Sequence, residues 1–261
     1  MLQQKGQMCI PMNEKVLLKG QTAIVTGGAT RIGREICLSL AGQGASVIVH
    51  FRSSAKEAGE VVSMITERGG AAVAISADLQ SESACRELVE KATVQWNRAP
   101  TVLVNNASVF HRESLLEVTE ASILHEFWPN IFGPVLLTRY FALAKPEAGV
   151  VINLLDRRIT ANDERFFAYS LTKKCLADFT RLAAVALAPT IKVHGVAPGP
   201  ILPPPGEDET YLKEKGGRRL LNDRLDPSAI AEAVIKLIGL RGATGQILYI
   251  DGGQHLLGNG V

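Results

Sequence analysis

The stretch "TAIVTGGATRIG", from Thr22 to Gly33, decides the fold of this chain. Its first half is apolar and rich in strand-forming residues, which is typical of a buried strand, and its second half is rich in glycine. A glycine-rich turn from a strand into a helix lets the backbone approach a pyrophosphate, and the helix N-terminus then attracts the anion. The same turn also occurs where only tight packing is needed, so other parts of the sequence must decide between binding and packing.

Apolar runs of the same kind recur along the whole chain and alternate with amphipathic helical patterns. The seven runs cover residues 22–27, 46–51, 71–78, 101–107, 150–156, 191–199 and 246–251. Near-continuous apolar runs indicate strands that are buried on both faces, as parallel strands are. The alternation predicts an α/β fold, namely a single doubly wound (Rossmann) domain with a seven-stranded parallel sheet and helices on both faces.

Three segments define the predicted organisation of the chain. Residues 1–16 are polar and are expected to form a flexible N-terminal tail, and residues 17–261 form the domain. Residues 198–222 are rich in proline and glycine and are expected to form a substrate loop. The last helix carries its own start signal, since Asp226 can cap it, Pro227 suits its first position, and one face is apolar (Ile230, Val234, Leu237, Ile238).

The composition narrows the range of partners. The chain has 261 residues, 46% hydrophobic and 21% charged, with a formal net charge of +2, which is an ordinary globular balance. The densest basic patch, residues 212–219, contains a glutamate and indicates a solvated face, so no nucleic-acid partner is expected. No segment is apolar enough for a secretion signal or a membrane span, so a cytoplasmic protein is expected.

Cysteine and histidine spacings predict neither a disulfide framework nor a metal centre. The four cysteines (Cys9, Cys37, Cys85, Cys175) show no paired spacing and are expected to be reduced thiols. His125 lacks the second histidine of a zinc-binding helix, so no catalytic metal is expected.

The end of the second strand indicates which dinucleotide the glycine turn would serve. A site for NAD usually has an acidic residue here, which binds the ribose 2′-hydroxyl. This chain reads "HFRSSAKEA" from His50 to Ala58 and has no acid before Glu57. Arg52 can bind a 2′-phosphate bidentately, and Arg31 in the glycine turn can add a second cation, so the pattern favours NADPH. Arg52 alone would suit a solvated loop equally well.

Tyr169 and Lys173 form a candidate proton-transfer pair. They lie four residues apart in a helical pattern and therefore share a face. An ammonium near a phenol lowers its pKa toward a useful range. Such pairs are common on helices, so the position after the fifth strand, beside the expected crevice, carries the functional argument. Phe167, Leu171, Cys175 and Phe179 are expected to form the apolar stripe that packs on the sheet.

The ordered set of motifs resembles the short-chain dehydrogenase/reductase family over residues 17–256. The motifs are "TGGATRIG" (26–33), "ADL" (77–79), "NNAS" (105–108), Asn130, "YSLTK" (169–173) and "APGPI" (197–201). The resemblance implies that Asp78 and Leu79 flank the adenine and that Pro198–Ile201 touch the nicotinamide. It also implies that Tyr169 is the acid, that Lys173 binds the nicotinamide ribose, and that Asn130 and Lys173 hold a relay water. A homotetramer is implied as well.

The full set of residues expected at the NADP(H) site follows from the motifs and this resemblance. It comprises Gly27, Thr30, Arg31, Ile32, Gly33, His50, Arg52, Ser53, Asp78, Leu79, Asn105, Asn106, Ala107, Ser108, Tyr169, Lys173, Pro198, Gly199 and Ile201. The expected catalytic residues are Asn130, Asp156, Tyr169 and Lys173, and the expected substrate contacts are Ser108, Phe110, Asp156, Tyr169 and Pro200.

Departures from the family pattern carry the substrate information. Arg31 replaces the usual third glycine of the turn, and Asp156 replaces the usual serine thirteen residues before the tyrosine. Pro129, directly before Asn130, removes a helical hydrogen bond. An ionised Asp156 would repel the oxyanion that forms during ketone reduction, whereas a ring with N–H donors and a reducible C=N bond would suit it.

These departures resemble the pteridine reductase and dihydromonapterin reductase branch of the family. The resemblance extends to His50 and Arg52, and to "NNASVF" (105–110), where Phe110 would stack the pterin against the nicotinamide. The predicted function is therefore NADPH-dependent reduction of a small pterin-like molecule from the dihydro to the tetrahydro form. Two alternatives stay open. One is reduction of carbonyls such as 3-oxoacyl thioesters or sugar-derived ketones, with Asp156 protonated by its apolar setting, and the other is NADPH sensing without catalysis.

Overall fold

The computed structural model describes residues 18–203, 208, 210–212, 216–221 and 225–257. The predicted tail over residues 1–16 lies outside the described residues, as do several positions of the predicted loop over 198–222. Within the described part the strands are β1 (Thr22–Val25), β2 (Ser46–Phe51), β3 (Ala71–Ser76), β4 (Val102–Asn105), β5 (Gly149–Leu154), β6 (Ile191–Pro198) and β7 (Ile247–Ile250). Each of them falls inside one of the apolar runs or within one residue of its bounds.

Helices fill the intervals between the strands. The α-helices with both ends in the described residues are α1 (Arg31–Gly42), α2 (Ala55–Glu67), α3 (Glu82–Gln95), α4 (Glu120–Phe127), α5 (Gly133–Leu143), α6 (Phe167–Ala186) and α7 (Pro227–Gly239). A π-helix, Trp128–Phe132, joins α4 to α5, and short 3₁₀ turns cover Arg157–Ile159 and Gln254–Leu257. None of the described helices is long and apolar enough to cross a membrane.

The strands form one parallel sheet, which confirms the predicted fold class. Their order is β3-β2-β1-β4-β5-β6-β7 among the described residues, so the chain reverses its direction of travel across the sheet between β1 and β4. Parallel strands put all their carboxyl ends on one edge, and the loops that leave β1 and β4 diverge there. This switch point opens a crevice for ligands at the carboxyl edge.

Alternate residues of each strand enter two different cores, which explains why the runs are continuously apolar. Ala23 and Val25 pack with the helices α1, α2 and α7 on one face of the sheet. Ile24, between them, packs with α3, α5 and α6 on the other face. All three side chains are fully buried. A strand covered on both faces has no polar face to show in its sequence.

The start of α7 matches its sequence signal, whereas the apolar stripe predicted for α6 is only partly right. Asp226 accepts hydrogen bonds from the backbone N–H of Ser228 and Ala229, and Pro227 is the first helical residue. On α6, Cys175 and Phe179 are partly buried against the core, as predicted. Leu171 of the expected stripe is 42% exposed, whereas the face with Tyr169 and Lys173 is buried. The helix is apolar on both sides, so spacing alone could not fix its rotation.

Candidate active site

A cavity of about 780 Å³ lies at the carboxyl edge of the sheet, at the switch point. Its lining includes nearly all of the residues that the sequence assigned to cofactor and substrate: Gly27, Thr30, Arg31, Ile32, Gly33, His50, Arg52, Ser53, Asp78, Leu79, Asn106, Ala107, Ser108, Phe110, Asp156, Tyr169, Lys173, Pro198, Gly199, Pro200 and Ile201. Asn105 and Asn130 are the predicted residues that are not among the lining residues.

The glycine turn after β1 is built for close approach of backbone to backbone. Gly27 has φ = +61°, and a Cβ there would stand 3.1 Å from Cα of Ala107. Arg31, where a third glycine was expected, has φ = +54°, in the left-handed region that favours glycine. The turn therefore keeps an arginine in a conformation with a steric cost, and this arginine lines the cavity.

His50 supports the glycine turn from behind. Its Nδ1 accepts a hydrogen bond from the backbone N–H of Gly27 at 3.1 Å, and Nε2 lies 3.1 Å from the carbonyl oxygen of Ala77. Since Nδ1 accepts, the proton belongs on Nε2, which donates to Ala77. Burial lowers the pKa of His50 to about 4, so the ring is neutral at physiological pH. It connects the ends of β1 and β3 in addition to lining the cavity.

Two guanidinium groups lie at the β1–β2 end of the cavity. Arg31 and Arg52 both line it, and no acidic residue of the β2 end faces them. Nη2 of Arg31 donates to the carbonyl oxygen of Pro203 at 2.8 Å, which ties the glycine turn to the segment after β6. A pair of cations suits a phosphate ester better than a free ribose hydroxyl.

Thr26 holds the loop that leaves β4. Its Oγ1 accepts from the backbone N–H groups of Asn106 and Ala107, each at 2.9 Å. Nδ2 of Asn106 donates back to the carbonyl oxygen of Thr26 at 2.8 Å. Asn105, which was expected along the cofactor, is buried instead and donates to Oδ1 of Asn153 at 2.8 Å. Alternation along β4 turns its side chain away from the cavity.

Asn130 lies in the π-helix, directly after the proline that was expected to remove a helical hydrogen bond. Pro129 has no N–H to continue the α-helical ladder, and the chain widens over Trp128–Phe132 before α5 begins. Oδ1 of Asn130 accepts from Oγ of Ser108 and from the backbone N–H of Val109, each at 2.9 Å. The side chain is fully buried behind the β4 loop, so it supports this loop and does not line the cavity.

Asp156 lies at the end of β5, where it receives only hydrogen-bond donors. Its Oδ1 accepts from the backbone N–H of Arg158 at 2.8 Å, which caps the 3₁₀ turn. Its Oδ2 accepts from the phenol of Tyr169 at 3.0 Å and from Nη1 of Arg158 at 3.2 Å. Both carboxylate oxygens are therefore used as hydrogen-bond acceptors, by N–H groups of Arg158 and the O–H group of Tyr169.

Arg158 is the residue that the sequence reading missed. Its side chain is 16% exposed and pairs with both Asp156 and Asp163. Its guanidinium carbon lies 5.5 Å from the ring centroid of Phe110 and 4.8 Å from that of Phe166, and the two rings stack at 4.5 Å. The sequence could have indicated Arg158 as a site residue, because it lies two residues after Asp156 in the turn that follows the strand.

The pKa values of the candidate proton-transfer pair differ from the expectation. Burial, and next the negative charge of Asp156, raise the pKa of Tyr169 well above its ordinary value, while Arg158 acts in the opposite direction. Burial lowers the pKa of Lys173 to about 8, although Asp156 and Glu126 oppose this. Nζ of Lys173 donates to the carbonyl oxygen of Leu154 at 2.8 Å. The predicted lowering of the tyrosine pKa is therefore wrong for this arrangement, which keeps the phenol protonated.

Metal ligation has no support in the described part of the chain. There, no cluster of three or more histidine, cysteine, aspartate or glutamate side chains could hold a metal ion.

Comparison with known proteins places this geometry among oxidoreductases. The family model described as short chain dehydrogenase matches residues 21–211. Among curated proteins, glucose and ribitol dehydrogenase homolog 2 of Arabidopsis thaliana is 32% identical over 249 residues, which cover 90% of this chain and 86% of that protein.

Solved structures match over nearly the whole chain. FolM alternative dihydrofolate reductase 1 from Brucella canis, complexed with NADP, superposes with a TM-score of 0.87 at 33% identity, covering 93% of this chain and 97% of that one. A short chain dehydrogenase from Burkholderia cenocepacia, also in complex with NADP, gives a TM-score of 0.85 at 28% identity over 91% of this chain and 98% of that one.

Proposed function

Because this chain belongs to the short-chain dehydrogenase family, we propose that it reduces a pterin-like substrate, taking a dihydropterin to the tetrahydro form. The chain is an NADPH-dependent oxidoreductase. NADPH supplies the hydride when it is bound. The residues of the cavity fit this cofactor: the glycine turn for its pyrophosphate, and Arg31 and Arg52 for its 2′-phosphate.

The observation that carries the pterin proposal is the donor set around Asp156. Arg158 and Tyr169 donate N–H and O–H hydrogen bonds to the carboxylate, so it faces the cavity as a hydrogen-bond acceptor. Two like charges about 4 Å apart cost roughly 4 kcal/mol at an effective dielectric near 20. Arg158 offsets part of that cost for an oxyanion, whereas ring N–H groups and an amino group meet no such cost.

The chain's own residues then have distinct tasks. Tyr169 donates the proton that the reduced ring nitrogen requires, and its raised pKa keeps that proton available. Asp156 accepts hydrogen bonds from the ring amines and fixes the orientation of the ring. Phe110, with its ring centroid 4.7 Å from that of Tyr169, supplies a flat apolar face for stacking.

The similar proteins support two different substrates. The solved structures at 33% and 34% identity from Brucella canis and Brucella suis are both described as alternative dihydrofolate reductases, which favours a pterin ring. The curated relatives from Arabidopsis thaliana and Daucus carota are described as glucose and ribitol dehydrogenases or their homologues. Reduction of a sugar-derived ketone is therefore the second candidate, together with other carbonyl substrates such as 3-oxoacyl thioesters.

A direct comparison of substrates tests the proposal. NADPH oxidation is measured with dihydrobiopterin, with an acetoacetyl thioester and with a ketose, at equal concentrations. Higher kcat/KM for dihydrobiopterin is expected, and faster turnover of either carbonyl would overturn the pterin assignment. The Asp156→Ser variant, which restores the family's usual residue, should shift the ratio toward the carbonyl substrates.

A variant of Tyr169 distinguishes an enzyme from an NADPH sensor without catalysis. The Tyr169→Phe variant removes only the hydroxyl, so it should abolish turnover and retain NADPH binding as followed by fluorescence. Turnover that survives in Tyr169→Phe would contradict the role of Tyr169. A wild-type protein that binds NADPH but reduces none of the three substrates would favour the sensor.

A homotetramer in the cytoplasm completes the proposal. The outer side of α5 and α6 carries Leu143, Leu171, Leu182 and Val185, which are 57%, 42%, 70% and 81% exposed. Exposed apolar side chains on these two helices favour contact with another subunit. Sedimentation velocity on wild type and on Leu182→Glu measures the assembly, and a wild-type monomer would contradict the proposal.

A further inference from the structure

Glu126 is a buried carboxylate directly below the candidate site, at the end of α4. It is 2% exposed, and burying a carboxylate is costly unless its oxygens are hydrogen-bonded. Oε1 accepts from both the backbone N–H and Nδ1 of His111, each at 2.8 Å. Oε2 accepts from Nδ2 of Asn130 at 2.9 Å. Both oxygens therefore serve the segment that carries the proposed substrate contacts.

The carboxylate also helps to fix how the amide of Asn130 is oriented, together with the backbone of Val109. Since Oε2 of Glu126 can only accept, Asn130 must present its NH₂ group to it. Oδ1 of Asn130 then faces the opposite way, where Oγ of Ser108 and the backbone N–H of Val109 donate to it, each at 2.9 Å. Nδ2 also donates to the carbonyl oxygen of Val109 at 3.0 Å, so the amide binds both the N–H and the carbonyl group of this residue.

The β4 loop is thus held by two independent anchors. Thr26 holds its first part through the N–H groups of Asn106 and Ala107, next to the glycine turn. Glu126 holds the second part, directly through His111 and indirectly through Asn130. Phe110 lies between Val109 and His111, whose backbone N–H groups are both fixed by the second anchor.

We propose that Glu126 is a positioning residue for the substrate. Through Asn130 and His111 it fixes the Ser108–His111 segment, and thereby holds Phe110 at the substrate side of the cavity. The cofactor contacts before Ser108 do not depend on it, because Thr26 anchors Asn106 and Ala107 separately. The identity of the ring that Phe110 receives rests on the proposed function, but the anchoring of the segment does not.

The test uses Glu126→Gln with Glu120→Gln as its matched control. Glutamine has the size of glutamate, but its NH₂ group would face either Nδ2 of Asn130 or the donors of His111, which puts donor against donor. Glu120 starts the same helix and is exposed, so its variant loses the same charge without touching the loop. Both variants are measured for NADPH affinity, for kcat and KM with dihydrobiopterin, and for amide hydrogen exchange over residues 106–113.

In Glu126→Gln the amides of Val109 and His111 should exchange faster, and KM for dihydrobiopterin should rise about tenfold. NADPH affinity should stay within about twofold of wild type, and Glu120→Gln should behave as wild type in every measurement. Unchanged exchange in Glu126→Gln would overturn the proposal. Equal losses of substrate and NADPH affinity would overturn the division of the loop into two separately held parts.

The exchange measurement keeps this proposal separate from the substrate assignment. If dihydrobiopterin is not reduced, KM is measured with whichever carbonyl substrate the enzyme turns over, and exchange still decides whether Glu126 anchors the loop. If Glu126→Gln does not fold, His111→Ala replaces it, because this variant removes the side-chain bond to Oε1 together with the ring contact to His125. Exchange over residues 106–113 that is unchanged in His111→Ala would then overturn the proposal.

Discussion

The phenol of Tyr169 donates a hydrogen bond of 3.0 Å to Oδ2 of Asp156. The candidate proton donor and the residue that departs from the family pattern are therefore direct partners. A serine in place of Asp156 could form a hydrogen bond with the phenol without adding a charge. The carboxylate adds a negative charge beside it, and this charge, after burial, is what raises the pKa of Tyr169.

Removing the charge of Asp156 should change the pH dependence of the reaction. Tyr169 acts as an acid only while it is protonated, so activity declines as pH rises through its pKa. In Asp156→Asn the pKa of Tyr169 falls, so the alkaline limb of kcat/KM should move to lower pH, with a loss of roughly 10²-fold in kcat/KM near neutrality. Asp163→Asn is the control, because Asp163 does not contact Tyr169. An alkaline limb that stays in place would contradict the coupling.

Loss of Arg158 should destabilise the protein more than loss of a neighbouring arginine. Arg158→Gln leaves Asp156 and Asp163 without their shared partner in a part of the fold that is largely buried, at a cost of about 1–3 kcal/mol in the free energy of unfolding. Arg165 pairs with the same Asp163 but is 47% exposed, so Arg165→Gln should cost below about 1 kcal/mol. Urea unfolding measures both, and equal costs would argue against a special role of Arg158.

The buried ammonium of Lys173 should make stability depend on pH in the alkaline range. Its pKa is lowered to about 8 in the folded protein, against about 10.4 for a lysine in an unfolded chain. Between these two values the unfolded state binds more protons, so stability gains up to about 1.4 kcal/mol per pH unit as pH rises. The Lys173→Met variant has no ammonium group and therefore lacks this pH-dependent contribution to stability. The free energy of unfolding of both proteins is measured with urea at pH 7.5 and pH 9.5. The wild type should gain stability relative to the variant between these two pH values, and an unchanged difference would contradict the lowered pKa of Lys173.

Arg31 should matter for cofactor choice and contribute little to the free energy of unfolding, because its bond to Pro203 is offset by its left-handed backbone. Its φ of +54° suits glycine, so Arg31→Gly should change the free energy of unfolding by less than about 1 kcal/mol. The same variant removes a cation from the 2′-phosphate side, so kcat/KM with NADPH should fall about 10- to 100-fold while that with NADH is unchanged. Arg52→Ala should act in the same direction. A parallel loss with both cofactors would exclude recognition of the phosphate by these arginines.

Local patterns account for what the sequence by itself determined. The apolar runs and their alternation with helices predicted the parallel sheet, because strands buried on both faces leave an unbroken apolar signature. The glycine turn, the two arginines near β1 and β2, and the spacing of Asp156, Tyr169 and Lys173 are likewise readable within short windows. The topology then brings these windows to one edge of the sheet.

Contacts between distant parts of the chain decided the rest. The rotation of α6 was open, since apolar residues occupy both its sides and only packing against β6 and the π-helix selects the buried one. Asn105 turned away from the cavity because the β4 side chains alternate, and the pairing of Asp156 with Arg158 needed the turn after β5. Glu126 reads as an ordinary helix residue until Asn130 and His111 meet it in space. For the two carboxylates the physical reason is the same: the energy of a buried polar group is set by its partners, and a linear pattern does not contain them.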